Sequence, residues 1–105
     1  MTDFEITRLC AQWLGYTEKY GMSVENGKWV LTIEGDHLAI YDPLTNKDQA
    51  MMLLESFKDS GLKLLYLDKR WLLGTQYLRI VDKDLARAIC KYAVVRQKKK
   101  TDLQQ

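Results

Sequence analysis

The chain contains a single proline, Pro43, and this residue fixes the point at which a strand must end and a helix must begin. The proline ring sets its own φ and pushes the preceding Asp42 toward extended backbone, so the β-rich run before it stops here. Thr45 or Asn46 can then cap a helix, and Asn46 has Gln49 three residues later, which is the spacing of a capping box. The core face of the predicted helix comprises Ala50, Leu53, Leu54 and Phe57, and Gly61 closes it.

The first fifteen residues predict an N-terminal helix. Thr2 and Glu5 have the spacing of a second capping box. The apolar residues that follow recur at i, i+3, i+4, i+7 and i+8 and form one face, which comprises Ile6, Leu9, Cys10, Trp13 and Leu14. Gly15 stands where the helix ends, because glycine adopts left-handed backbone at little cost.

Four β-rich runs and a last helix complete the pattern. Residues 16–27 are polar and glycine-containing and indicate a loop, whereas Glu34-Gly35-Asp36 and Asp68-Lys69-Arg70 indicate hairpin turns. The last helix begins at Asp82 or Asp84, and its apolar face comprises Leu85, Ala86, Ile89, Cys90 and Ala93. The strands are Trp29–Ile33, His37–Tyr41, Leu62–Leu67 and Trp71–Val81, and Gly74 marks a bulge or a broken strand in the last of them.

The order α-β-β-α-β-β-α predicts an α+β fold. Hairpin spacing predicts antiparallel pairing, and each of the three amphipathic helices must bury one face. The runs Trp29–Ile33 and Leu62–Leu67 lack alternation, as strands do when both faces of their sheet are covered. The sequence therefore predicts a four-stranded antiparallel sheet with helices on both faces, an α/β/α sandwich. We expect one domain over residues 1–95 and a basic, frayed tail over residues 96–105.

Three segments resemble the phage ABA-sandwich domain family, which comprises small proteins of bacteriophages and prophages. They are Trp13-Leu14-Gly15-Tyr16, then Asp42-Pro43-Leu44-Thr45-Asn46 followed by Gln49-Ala50-Met51-Met52-Leu53-Leu54, and Asp84-Leu85-Ala86-Arg87-Ala88-Ile89-Cys90-Lys91. The similarity covers most of residues 3–95. The resemblance implies the sandwich architecture and no catalytic residue, because the family has no established general activity. It also implies a phage-encoded accessory protein that binds a host protein, with inhibition of a bacterial antiviral defence system as its role.

Composition excludes several classes of protein. A chain of 105 residues, 47% hydrophobic and 29% charged, suits one ordered domain. No apolar run approaches the roughly 20 residues that span a bilayer, and the N-terminus lacks a signal pattern. We therefore expect a cytoplasmic protein of the host bacterial cell, with no membrane partner. Cys10 and Cys90 are predicted to be buried free thiols, and the absence of a cysteine–histidine cluster predicts no metal and no cofactor.

Two residues invite a catalytic interpretation that their context does not support. Asp42 has no second acid or histidine at a useful spacing, so we interpret it as the residue that ends the strand and hydrogen-bonds into the next turn. His37 is the chain's single histidine, and a general base needs a nucleophile and an orienting partner that the sequence does not offer. We expect a protein that is not an enzyme.

Positive charge is concentrated in the second half of the chain. Residues 1–52 carry eight acids and four bases, whereas residues 53–105 carry six acids and twelve bases. Lys83, Arg87, Lys91 and Lys98 fall within one stripe of the last helix, and Arg96, Lys99 and Lys100 thicken its end. The stripe is interpreted as a solvated face, as a surface for an acidic protein partner, or as a nucleic-acid contact.

The remaining candidates lie outside the last helix. Trp71 follows Lys69 and Arg70 at a strand start and is the one tryptophan expected to be partly exposed. One of Met51 and Met52 is also expected to be exposed, since a helix cannot easily bury both. A host protein is the predicted partner. Nucleic-acid binding, sequestration of a small molecule and a homodimer that buries an edge strand or helix face are the alternatives.

Overall fold

Three helices and six strands make up the part of the chain that the computed structural model describes, residues 1–33, 37–57 and 61–103. The predicted turn at residues 34–36 lies outside these ranges. In chain order the elements are α1 (Asp3–Trp13), β1 (Met22–Glu25), β2 (Lys28–Ile33), β3 (His37–Ile40), α2 (Lys47–Glu55), β4 (Lys63–Leu67), β5 (Arg70–Gly74), β6 (Arg79–Asp82) and α3 (Leu85–Leu103).

The strands form two separate antiparallel sheets, a first sheet of order β1-β2-β3 and a second of order β4-β5-β6. The α+β class is confirmed, but the prediction of one four-stranded sheet is wrong. Each sheet consists of three consecutive strands, so every pairing is local in sequence, and α2 separates the two meanders.

The strand that the sequence analysis missed in the first sheet is β1. It lies inside the segment predicted to be a loop, and it pairs with β2 from Met22 opposite Leu31 to Glu25 opposite Lys28. Asn26 and Gly27 form the turn, with φ of 52° and 75°. Two consecutive residues with positive φ give a turn whose twist matches that of a hairpin, and Asn-Gly is its strongest sequence signal.

The second sheet has one more strand than predicted, because the run Trp71–Val81, predicted as a single strand, forms the two strands β5 and β6. The Thr75 amide donates to the Leu78 carbonyl at 2.8 Å and closes the loop between them. A Cβ on Gly74 would clash with the Leu78 carbonyl oxygen and lie 2.9 Å from the Cα of Arg79. Glycine is therefore required where the chain turns, so the broken-strand interpretation of Gly74 is the correct one.

The helices do not sandwich a single sheet. Helix α1 packs on β2 of the first sheet and on α3, while α3 also contacts α2, β5 and β6. The most completely buried large side chains share one cluster, which includes Leu53, Phe57, Leu73, Ile89 and Tyr92. Because α2 packs on α3, the structure places no helix against the opposite side of the second sheet among the described residues.

The predicted helix starts agree with the structure, but the predicted end of the second helix at Gly61 is wrong, because α2 ends at Glu55. The Glu5 amide donates to the Thr2 hydroxyl at 3.2 Å, and the Gln49 amide donates to the Asn46 side chain at 3.1 Å. At the proline junction, the Thr45 hydroxyl donates to the Asp42 carboxylate at 2.6 Å. Asp42 therefore stabilises the turn, as the sequence predicted.

Helix α3 is the longest element, with 19 residues. It begins after Asp84, whose carboxylate accepts the Arg87 amide, and it continues through Leu103, so the described part of the predicted tail is helical. None of the described helices combines the length and the apolar character needed to cross a membrane.

Candidate functional site

The second sheet has one covered face and one bare face. On the covered face, Leu73 is fully buried and Ile80 packs against the core cluster. The register of the second sheet pairs Leu65 with Leu72, and Leu72 with Val81. These three residues therefore form a row across all three strands on the bare face. We call this bare side of the second sheet the outer face. Besides the row, the outer face includes Lys63, Leu67, Arg70, Gly74 and Arg79.

The apolar residues of the outer face are largely open to solvent. Leu65 is 57% exposed, Leu67 is 55% exposed and Val81 is 43% exposed, while Leu72 in the central strand is half-buried. Isolated exposed leucines are common on proteins, but a row that crosses a sheet is a contiguous apolar patch. The face therefore has the character of an interface without its partner.

The charges on the outer face are all positive. On one side of the row, Lys63 pairs with Gly74 and Gly74 pairs with Arg79, so both cations lie next to the row. On the other side, Arg70 lies beside Leu67. No aspartate or glutamate of the three strands lies on this face among the described residues, because Asp82 pairs with Trp71 on the covered face. An acidic rim is thus the complementary surface.

Strand β4 is exposed in a second way. Leu64 and Tyr66 point to the covered face, yet Tyr66 is 57% exposed and Leu64 is also exposed, because α3 packs mainly on β5 and β6. The Tyr66 ring contacts the Trp71 ring at a centroid distance of 4.8 Å. In the described structure β4 pairs with β5 alone, and its other side, the free edge, meets no strand.

The β4–β5 turn explains how this edge strand is held in register. Asp68 and Lys69 both have positive φ, 52° and 62°. This is the backbone pattern of a tight hairpin turn, and it fixes Leu67 opposite Arg70. Of the predicted surface residues, Lys69 lies in this turn and Arg70 lies on the outer face.

The predicted basic stripe on α3 is partly engaged within the chain. The Lys91 ammonium lies 2.6 Å from the Asp82 carboxylate, and the Arg87 guanidinium lies 3.2 Å from the Asp3 carboxylate. Both acids come from other elements, β6 and the start of α1. The stripe is thus used to fasten α3 to its neighbours.

Further along α3, the cations meet aromatic rings. The Arg96 guanidinium lies 5.6 Å from the Trp13 ring centroid, and the Lys100 ammonium lies 5.8 Å from the same ring. Such contacts contribute about 0.5–1 kcal/mol at exposed sites. The remaining predicted cations of the helix and its approach, Lys83, Lys98 and Lys99, are exposed.

Burial and hydrogen bonding explain the charge of Asp82. Its side chain is only 13% exposed, and this burial by itself favours the neutral acid. The hydrogen bond from Lys91 and the backbone bond from Asp84 outweigh it, so the pKa of Asp82 lies below its usual range. Asp82 is a structural anchor of α3 and not a proton donor at neutral pH.

Trp71 and Met51 are brought together, on a different surface from the outer face. Both line a cavity of about 510 Å³ between the starts of α2 and α3, whose apolar wall also includes Leu44, Ala50, Leu85 and Ile89. One of Met51 and Met52 was expected to be exposed, and in the structure both are. The polar side chains Thr45 and Asp84 at this cavity are already hydrogen-bonded within the chain.

The two cysteines lie in the core as free thiols, as predicted. The Cys10 thiol donates to the Cys90 carbonyl at 3.6 Å. The neighbouring Cys90 side chain and burial both raise the pKa of Cys10, so it stays protonated and unreactive. Burial likewise raises the pKa of Tyr41.

The described residues contain no group of three or more histidine, cysteine, aspartate or glutamate side chains that could hold a metal ion. The backbone of His37 lies in β3, opposite Ile33. Asp42 is engaged in the turn at the proline junction, with Thr45 as its partner.

Sequence reasoning missed the four apolar residues of the outer face. It attributed the unbroken apolar run Leu62–Leu67 to a sheet covered on both sides. The signal that was available is the charge at Lys63 and Arg70, which share a face with Leu65 and would be buried beneath a second helix layer. Comparison with known protein families, with curated proteins and with solved structures found no match for the chain.

Proposed function

We propose that this chain is a protein-binding module whose contact surface is the outer face of the second sheet. The observation that carries the proposal is the uncovered row of Leu65, Leu72 and Val81, extended by Leu67. Complete burial of each half-exposed side chain contributes about 1 kcal/mol. The row therefore supplies the apolar centre that protein interfaces require.

The charges on the outer face select the partner. Lys63, Arg70 and Arg79 surround the row with positive charge. Two copies of the chain stacked face to face would bring six cations together, which disfavours self-association through this face. The occupant is a different protein, with an apolar patch and an acidic rim.

The resemblance to phage ABA-sandwich proteins supports a bacterial host protein as this partner. On that basis the chain is a phage-encoded accessory protein that acts by occupying a host protein, with inhibition of an antiviral defence factor as the biological role. This part of the proposal rests on the segments around Trp13, Pro43 and Ile89, and not on the geometry of the site.

The alternatives receive less support. Lys91, Arg87 and Arg96 of the basic helix already contact Asp82, Asp3 and Trp13, which leaves fewer cations for nucleic-acid phosphates. A small-molecule site in the cavity beside Trp71 would need polar groups that point toward the ligand. Two of the polar side chains at this cavity, Thr45 and Asp84, already make hydrogen bonds within the chain, which weakens this alternative.

The test is comparative capture from a bacterial host lysate. The bait proteins are the wild type, Leu72→Lys, the double variant Arg70→Glu with Arg79→Glu, and the control Leu38→Lys. Leu38 is a matched control because it lies on the edge strand β3 of the other sheet and is 58% exposed. A partner of the outer face binds the wild type and Leu38→Lys, and both outer-face variants retain about tenfold less of it.

Two results overturn the proposal. One is capture that the outer-face variants leave unchanged. The other is the absence of any bound protein at low ionic strength, where attraction between the cationic face and an acidic partner is strongest. Circular dichroism of each variant shows whether the fold is retained.

A further inference from the structure

The free edge of β4 is an unprotected pairing surface. Edge strands are usually blunted by charges, proline or bulges, because their unpaired backbone groups pair readily with another strand. Strand β4 has one charged residue, Lys63 at its start, followed by four consecutive apolar residues, Leu64 to Leu67. All five residues are exposed.

The other apolar edge, β3, differs in a way that singles out β4. On β3, Leu38 and Ile40 are exposed on one face, whereas on the other face Ala39 is half-buried and the following Tyr41 is buried. On β4 both faces are open, with Leu65 on the outer face and Tyr66 on the covered side. A strand added to β4 would gain contacts above and below the sheet as well as backbone hydrogen bonds.

We infer that the occupant of this free edge is a second copy of the chain, whose own β4 pairs antiparallel about a two-fold axis through Leu65. In this register Leu65 faces Leu65 of the other copy, Leu64 faces Tyr66, and Lys63 faces Leu67. Leu64, Leu65 and Tyr66 thus each meet an apolar residue, while Leu67 lies beside the aliphatic part of Lys63, and such cross-strand pairs are the unit of sheet stabilisation.

The charges are compatible with this pairing. Antiparallel geometry puts the two Lys63 residues at opposite ends of the shared strand pair, four residue steps or roughly 14 Å apart, which exceeds the screening length at physiological salt. Pairing by the edge therefore avoids the clash of cations that disfavours stacking by the face. It yields a continuous six-stranded sheet, a common sheet size.

The dimer goes beyond the proposed function and leaves its surface free. The row of Val81, Leu72 and Leu65 continues directly into the row of the second copy, so one apolar stripe crosses six strands with a cationic margin. A single pair of five-residue strands buries less than a standard interface, so we expect dimerisation at protein concentrations of about 10–100 μM.

Sedimentation equilibrium of the full chain between about 5 and 200 μM tests the inference. The wild type and Leu38→Lys show the same rise from monomer to dimer mass, whereas Leu65→Lys remains a monomer because it sets two ammonium groups opposite each other at the axis. Leu65→Glu is also a monomer alone. An equimolar mixture of the two Leu65 variants recovers the dimer, since opposite charges then meet at that point.

The mixing experiment is specific to the inferred register, because only a residue on the axis faces itself. A wild type that stays monomeric at 200 μM overturns the inference, as does a Leu65→Lys variant that still dimerises, or a mixture that fails to recover the dimer. Leu72→Lys separates the two proposals. It retains the dimer because it lies off the edge, and it loses the partner of the outer face, so either proposal can fail without the other.

Discussion

Replacing Gln49 with alanine tests how the proline junction is held. The Gln49 side chain bridges the end of β3 and the start of α2. Its carbonyl oxygen accepts the Asp42 amide at 2.6 Å, and its amide nitrogen donates to the Ile40 carbonyl at 2.8 Å. Alanine leaves the Asp42 amide without its partner in a partly buried position, and the Ile40 carbonyl without its partner in an exposed one.

The expected cost follows from these two bonds. The Asp42 amide left unsatisfied costs about 1–1.5 kcal/mol, water replaces the partner of the exposed Ile40 carbonyl at little cost, and the better helix propensity of alanine returns about 0.3 kcal/mol. Gln49→Ala should therefore lower the free energy of unfolding by about 1 kcal/mol and the melting temperature by about 5 °C. The assay is urea unfolding followed by circular dichroism, with melting as a second measurement.

Gln12→Ala is the matched control for this substitution. Gln12 is also a half-buried helical glutamine, in α1, and its side chain makes no hydrogen bond to any described residue. We expect its replacement to change stability by less than about 0.5 kcal/mol. Equal effects of the two substitutions would refute the reasoning, because they would show that the bridge across the junction contributes nothing.

Two further substitutions test the second sheet and its attachment to α3. Asp82→Asn keeps an acceptor for the Asp84 amide but removes the charge opposite Lys91, and should cost about 1 kcal/mol at pH 7 in thermal unfolding. Folding lowers the pKa of Asp82, so the stabilising contribution of its carboxylate is complete above about pH 4 and disappears as the pH falls through the pKa of the folded state. The stabilities of wild type and variant should therefore converge in acid. A constant difference in stability down to pH 2 would contradict this. Gly74→Ala places a methyl group against the Leu78 carbonyl and should cost about 1–3 kcal/mol in urea unfolding, and a neutral effect would show that the hairpin between β5 and β6 is not as tight as described.

Features set by neighbouring residues could be predicted from the sequence. The capping pairs Thr2–Glu5 and Asn46–Gln49, together with the strand end at Asp42, depend on contacts within four residues. The Asn26-Gly27 turn was equally local and was missed, because the surrounding residues are polar and the β1 strand is short. The Asn-Gly pair, which favours a hairpin turn, should therefore have outweighed the polar composition that predicted a loop.

Features set by distant contacts could not be predicted from the sequence. An apolar run shows that a strand prefers to be covered, but not whether a helix is left to cover it, and here α1 and α2 pack against α3. The same limit applies to the basic stripe. Its spacing is visible in the sequence, whereas the acids that engage Arg87 and Lys91 come from Asp3 and Asp82 in other elements.

The exposed apolar row explains why these limits matter for function. A sequence that predicts a covered sheet directs attention to helix surfaces, whereas the structure moves the candidate interface to the sheet itself. Lys63, Arg70 and Arg79 then change from scattered surface charges to the margin of one face.

The most direct test of the central claim is a hydrogen-exchange footprint of the chain with and without the partner that comparative capture identifies. At a fixed concentration of the chain, binding through the outer face should slow amide exchange in β4, β5 and β6 and leave β2 and β3 unchanged. Slowed exchange confined to the first sheet or to the exposed end of α3, with the second sheet unaffected, would contradict the assignment of the outer face as the binding surface.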